Sequence, residues 1–317
     1  MCGLFGFSDY GHSLGGRELS DLIDSLAMES AVRGTDATGV AYTGGGKIVI
    51  KKDAKSAYQM DFKIPKDTGA VIDHVRHATQ GDCKIKYNNH PFYGRLKNGE
   101  MFALAHNGII ANDKTLRREQ KLPSTKIETD SFIAVQLLER GKNLSFKNIG
   151  SMAEEITGSF SFSLIDTKNN IYLIKGDSPI STIHFTHLWI YVYASTEQIL
   201  WRALASSSLL RAVKAGRFEE VNIKQGQILK ISASGELSWG EFEYLSNYYS
   251  SGCYGWWDFD CYKHKSSGDM EKEYLEELKS MAGAFGYSPD EIDYLRKCGY
   301  TFDEIEELLY CEEYACR

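Results

Sequence analysis

Cys2 has the widest chemical reach of any residue in this 317-residue chain, which opens Met1-Cys2-Gly3-Leu4-Phe5-Gly6-Phe7. A side chain as small as cysteine in second position predicts removal of Met1, leaving a thiol and a free α-amine on one residue. Thiolate is the nucleophilic form of cysteine, and an α-amine with a pKa of about 7.7–8.0 is a base near neutrality. One residue then supplies both nucleophile and base, as in enzymes built on an N-terminal threonine. Position alone fits a small buried residue at the start of an apolar strand equally well. Four polar motifs bear on that choice: Val75-Arg76-His77-Ala78-Thr79-Gln80-Gly81, Asn89-His90-Pro91, His106-Asn107-Gly108-Ile109-Ile110 and Glu128-Thr129-Asp130-Ser131. A further polar cluster, Arg33-Gly34-Thr35-Asp36-Ala37-Thr38-Gly39, lies between Cys2 and the first of them.

The elements that must position these residues are legible from hydrophobic period. Residues 4–8 read as a short strand, and 15–30 as a helix with Leu19, Leu22, Ile23 and Leu26 at helical spacing. Strands at 39–42 and 47–51 flank the turn Gly44-Gly45-Gly46. Residues 70–75 form an apolar strand leading into Arg76, and 101–106 a strand that ends at Asn107-Gly108. Helices are expected over 114–120 and, capped by Thr129, to Arg140. The middle of the chain is β-rich, with strands at 159–166, 171–175, 189–194 and 226–231 and a helix over 198–210. Strands in blocks with helices between them predict packed sheets with helices outside, an α+β architecture.

Cys2 followed by these motifs, in this order and spacing, resembles the class II glutamine amidotransferases, the glutaminase domains of glucosamine-6-phosphate synthase and amidophosphoribosyltransferase. The resemblance covers residues 2–242 and continues through Gly158-Ser159-Phe160, residues 191–195 and Gly226-Gln227-Ile228-Leu229. It implies a four-layer αββα N-terminal-nucleophile hydrolase fold and hydrolysis of L-glutamine through a Cys2 thioester. It further implies Asn107 and Gly108 as oxyanion donors, and Arg76 with Thr79 at the substrate α-carboxylate. Asp130 matches the family's residue for the α-ammonium. Arg76 as a structural ion pair, Asn107-Gly108 as an ordinary turn and His106 as a packing residue are the competing readings. His90 is expected to order its loop at the substrate site, and Arg33 and Asp36 to hold the wall. Relatives usually read Arg-Trp-Ala-Thr-His-Gly where this chain has His77 and Gln80 for Trp and His, so His77 is expected to close less well over glutamine.

Residues 243–317 carry 17 Asp/Glu against 7 Lys/Arg, leaving 1–242 with a net charge of +3 within a total of −7. Such an acidic tail does not suit nucleic acid. It reads as a small helical C-terminal appendage. An aromatic linker at 248–257 leads to helices over 270–283, after Ser288-Pro289, and after Thr301. Five of the seven cysteines lie there, and Cys253, Cys261 and His264 with Cys311 or Cys316 lack the short Cys-x-x-Cys spacing of a zinc site. Scattered thiols, no membrane-length apolar run and no signal-peptide pattern predict a cytoplasmic protein without cofactor or metal. The expected partners are L-glutamine and a separate synthase that accepts ammonia. Two alternatives remain at this level: an N-terminal-cysteine amidase on another γ-glutamyl or acylamide substrate, and a non-catalytic regulatory module.

Overall fold

Every residue of β1 (Gly3–Asp9) is buried, with Phe5 and Phe7 on one face and Leu4 on the other. A strand apolar on both faces needs a layer on each side. The computed structural model describes residues 2–244 and 288–297, together with Leu275, Lys279 and Ile305. The chain divides into two units, Met1–Ser246 and Asn247–Arg317.

In the first unit β1 lies inside a seven-stranded antiparallel sheet. Its other strands are β2 (Ala37–Gly44), β3 (Lys47–Asp53), β4 (Ala70–Arg76), β9 (Ser181–Phe185), β10 (Ile190–Ala194) and β11 (Glu219–Glu220), in the order β11-β9-β10-β1-β4-β2-β3. A six-stranded antiparallel sheet runs β13-β12-β8-β7-β6-β5. It is built from β5 (Phe92–Arg95), β6 (Met101–Ile110), β7 (Gly158–Asp166), β8 (Ile171–Lys175), β12 (Gln227–Ile231) and β13 (Leu237–Glu241).

Three apolar clusters define four layers. Phe5, Phe7, Val71 and Val75 pack with Leu22 and Leu26 of α1 (Gly16–Ser30) and with Leu200 and Leu204 of α5 (Glu197–Ser206). Phe102, Leu104, Phe160 and Phe162 pack with Ile133 and Leu138 of α3 (Phe132–Glu139) and Ile149 of α4 (Phe146–Glu155). Leu4, Ile72 and Tyr193 meet Ala103, Ala105, Ile165 and Leu173 between the sheets. This is the αββα order expected from the sequence.

Local signals failed where tertiary pairing overrode them. β6 does not end at Asn107-Gly108: residues 107–110 pair with Ser161, Phe160, Ser159 and Gly158, and the ladder absorbs the turn signal. Ser131, not Thr129, occupies the N-cap of α3. The Thr129 hydroxyl instead donates to the Asn88 carbonyl at 2.7 Å. The helix expected over 198–210 is two, α5 and α6 (Leu210–Lys214). The helix expected over 114–120 is α2 (Asp113–Glu119). β5, β9, β11, β13 and α4 carried no expectation. Sequences such as Ser-Thr-Ile-His-Phe lack an apolar run and are strands only because a neighbour pairs with them.

In the second unit α7 (Pro289–Lys297) begins where Ser288 and proline predict, with the Ser288 N–H and hydroxyl both donating to Glu291 Oε2 at 2.7 and 3.0 Å. The helices expected over 270–283 and after Thr301, the aromatic linker and the tail cysteines with His264 lie outside the described residues. Phe7 is wholly buried between sheet and helix. Phe7→Ala is expected to cost about 3–5 kcal/mol, read as a lowered urea midpoint.

Candidate active site

Three strand ends converge on Cys2. Gly3 pairs with Val75 across β1 and β4, and Ala37 of β2 pairs with Arg76, so Cys2 lies where β4 gives way to the loop 77–91. Its thiol donates to the His77 carbonyl at 3.4 Å, and its own carbonyl accepts from Arg33 Nε at 2.8 Å. Gly34 crosses the Arg76–His77 peptide so closely that a Cβ would sit 2.3 Å from the Arg76 carbonyl carbon. The Asp36 N–H donates to the Arg76 carbonyl at 3.0 Å, and its carboxylate accepts from the Ala78 N–H at 2.8 Å with His77 Nδ1 at 4.0 Å. Arg33 and Asp36 thus brace the Cys2 and loop backbones. His77 and Thr79 are exposed on that loop.

Arg76 is 2% exposed. Among the described residues it forms no ion pair; its guanidinium donates to Asn89 Oδ1 and to the carbonyls of Gln80 and Gly81, the last at 3.1 Å. Lys52 reinforces the same loop by donating to the carbonyls of Asn89 and Pro91, its ammonium 4.8 Å from the Phe92 ring centroid. Glu128 ties the loop from the far side, accepting from Asn88 Nδ2 at 2.9 Å.

The second sheet contributes Asn107 and Gly108. Asn107 is buried, and among the described residues its side-chain nitrogen has no hydrogen-bond partner. A buried donor left unpaired costs about 1–3 kcal/mol, so it marks a place where a ligand belongs. Gly108 has φ +135°, and a Cβ there would lie 2.0 Å from the Ser159 carbonyl oxygen, so no other residue fits. Asp130 is buried just before α3, accepting from the N–H groups of Ile110 at 2.6 Å and Ser131 at 2.8 Å.

His90 lies deeper than the surface loop. Its ring stands 4.2 Å from that of His74 and 4.5 Å from Phe92, and neither nitrogen is hydrogen-bonded to any described residue. Burial holds His74 and His90 well below the ordinary histidine value of 6.5, helped by the positive charge of Arg76. Burial also lowers His106. Lys52 is brought down to about 8 by burial and then by Arg76. The Cys2 thiol is pushed up by burial, against the pull of Arg76. It is therefore favoured as a thiol, and a thiol becomes nucleophilic only once a base takes its proton. Among the described residues no group of His, Cys, Asp or Glu is placed to hold a metal. Sequence reasoning missed Lys52, His74, Asn89 and Ser131. Asn89 and Ser131 sat inside quoted motifs, whereas nothing local marks Lys52.

Residues 74–201 match the glutamine amidotransferase domain family. Glutamine–fructose-6-phosphate aminotransferase of Bacillus thuringiensis is 30% identical over 193 residues, covering 57% of this chain and 30% of that protein. The corresponding protein of Chlamydia muridarum is 26% identical over 242 residues, 75% of this chain and 35% of that one. The chain thus spans about a third of the length of these curated relatives. Glutamine phosphoribosylpyrophosphate amidotransferase from B. subtilis, solved with ADP and GMP, superposes with a TM-score of 0.59 at 21% identity, over 76% of this chain and 49% of that one. That likeness is one of fold.

Neutral buried histidines make the fold acid-sensitive. As pH falls through 6.5 the unfolded chain takes up protons that His74 and His90 do not, so acid favours unfolding. Between about pH 7.5 and about pH 5.5 each is expected to remove about 1.4 kcal/mol of stability. His90→Phe should flatten that slope by one such increment in paired urea titrations. An unchanged slope would show that His90 is protonated in the folded state.

Proposed function

We propose that the chain carries a class II glutamine amidotransferase domain, as its match to the glutamine amidotransferase family over residues 74–201 and its likeness to glutamine–fructose-6-phosphate aminotransferase support, and that it hydrolyses the side-chain amide of L-glutamine to glutamate and ammonia. The observation that carries this reading is the buried, unpartnered amide nitrogen of Asn107 beside the strained strand position of Gly108. Such a pair is a preorganised donor set for a tetrahedral oxyanion.

With Met1 removed, the Cys2 α-amine takes the thiol proton through a water. The thiolate sulfur attacks the glutamine amide carbon, and the carbonyl electron pair moves onto oxygen. Asn107 Nδ2–H and the Gly108 N–H hold that oxyanion. Collapse breaks the C–N bond, the Cys2 ammonium returns the proton to the leaving nitrogen, and ammonia departs from a γ-glutamyl thioester. Water attacks the thioester, releasing glutamate and restoring the thiol.

The amino-acid head group meets opposite charges. The loop acceptors of Arg76 use three of its five N–H donors, leaving two for an α-carboxylate, and Thr79 on the same loop is assigned to help it. Asp130 takes the α-ammonium. The exposed side chain of His77, whose carbonyl accepts from the Cys2 thiol, is assigned to closing the loop over substrate, and His90 to ordering that loop. An acyl substrate lacking the head group would leave both charges unmatched. We place the ammonia acceptor on a separate synthase, and the protein in the cytoplasm, where a free thiol such as Cys2 stays reduced.

Intact-mass analysis after incubation with 6-diazo-5-oxo-L-norleucine, which alkylates the nucleophile of glutamine-recognising sites, tests the reading. Loss of Met1 and one adduct mapping to Cys2 are expected; an unmodified protein overturns it. Asn107→Ala is expected to lower kcat for glutamine by about 10²–10³, with adduct formation at Cys2 as the check that the site still forms.

A further inference from the structure

We propose that His106 is a positioning residue that steers the Ser131 hydroxyl away from Asp130 and so keeps that carboxylate open to the substrate ammonium. The inference rests on the glutamine reading above and assigns the residue pair that enforces the requirement for a free α-amino group.

The ring of His106 is fixed from several sides. It stacks on Phe162 with centroids 4.7 Å apart and planes 27° apart. Its main-chain carbonyl accepts from His74 Nε2 at 2.9 Å. The ring nitrogens face different groups: Nε2 lies 3.4 Å from the Ser159 carbonyl, and Nδ1 lies 2.7 Å from Ser131 Oγ. A carbonyl can only accept, so in the neutral ring the proton sits on Nε2 and Nδ1 is an acceptor. Burial favours that neutral form.

The Ser131 hydroxyl therefore has one proton and two acceptors within reach, His106 Nδ1 at 2.7 Å and Asp130 Oδ1 at 3.2 Å. The nearer acceptor is the imidazole. Asp130 already accepts two backbone N–H groups, from Ile110 and Ser131. A carboxylate offers about four lone-pair sites. Two remain, and a third donor from the hydroxyl would compete directly with an ammonium carrying three N–H groups. With His106 holding the hydroxyl proton, the charge of Asp130 stays available. Without it the hydroxyl turns onto Oδ1, and the site loses its advantage for an amino-acid head group.

The readout is the ratio of kcat/KM for L-glutamine to that for 4-carbamoylbutanoate, which is glutamine without its α-amino group. Both substrates are measured on one preparation, so the ratio does not depend on how much of a variant folds. His106→Phe keeps a ring to stack on Phe162 and removes the Nδ1 acceptor. It is expected to lower the ratio about tenfold, with the loss carried by KM for glutamine. Adding Ser131→Ala removes the competing hydroxyl and is expected to restore the ratio to within about twofold of the parent. An unchanged ratio in His106→Phe overturns the proposal, as does a double variant no better than the single. Ser131→Ala alone lowering the ratio as far as His106→Phe also overturns it, since the hydroxyl would then support Asp130 directly. A parent protein with no preference for glutamine overturns the glutamine reading itself.

Discussion

Arg76 is buried at the end of β4, and three of its guanidinium N–H groups go to a side chain and two carbonyls of the very loop that follows it. A guanidinium cannot lose its proton in a protein, so burying it requires acceptors at fixed places. The loop 77–91 supplies them, and its path is thereby set. That path presents the His77 carbonyl to the Cys2 thiol and the Ala78 N–H to Asp36. Burial, reinforced by the same fixed charge, lowers Lys52 and the histidines behind the loop. Geometry and electrostatics at this end of the sandwich follow from one buried cation.

The two sheets divide the chemistry between them. The seven-stranded sheet carries the thiol and the cation, because β1, β2 and β4 begin or end together. The six-stranded sheet carries the unpaired amide of Asn107, and the turn into α3 carries Asp130. Close packing between the sheets by Leu4, Ile72, Ala103 and Ala105 leaves little freedom to separate these groups. Preorganisation of this kind is what oxyanion stabilisation requires, since donors that must reorganise during the reaction lose most of their worth.

Charge is rationed inside this layer. His74, His90 and His106 are buried and held neutral, so Asp130 faces no imidazolium that would cancel it. Two backbone N–H groups and the Ser131 hydroxyl lie within hydrogen-bond reach of it, and none of them carries a positive charge. The unionised Cys2 thiol belongs to the same economy. Burial defers its ionisation until a base acts, which suits the nucleophile role proposed for it.

The sequence by itself determined what depends on near neighbours. The apolar spacing of Leu19, Leu22, Ile23 and Leu26 placed α1, Gly45 and Gly46 marked the β2–β3 turn, and Ser288-Pro289 opened α7. Cys2, Arg76, Asn107, Gly108 and Asp130 stood out through order and residue type. Tertiary structure alone decided that Asn107-Gly108 lies within a strand rather than a turn, because pairing with β7 outweighs a dipeptide preference. It decided that Arg76 binds its own loop, that Lys52 staples it, and that His106 meets Ser131. These contacts join distant segments through sheet register and burial. Neither leaves a periodic mark on the residues involved, so both become visible only when the chain is folded.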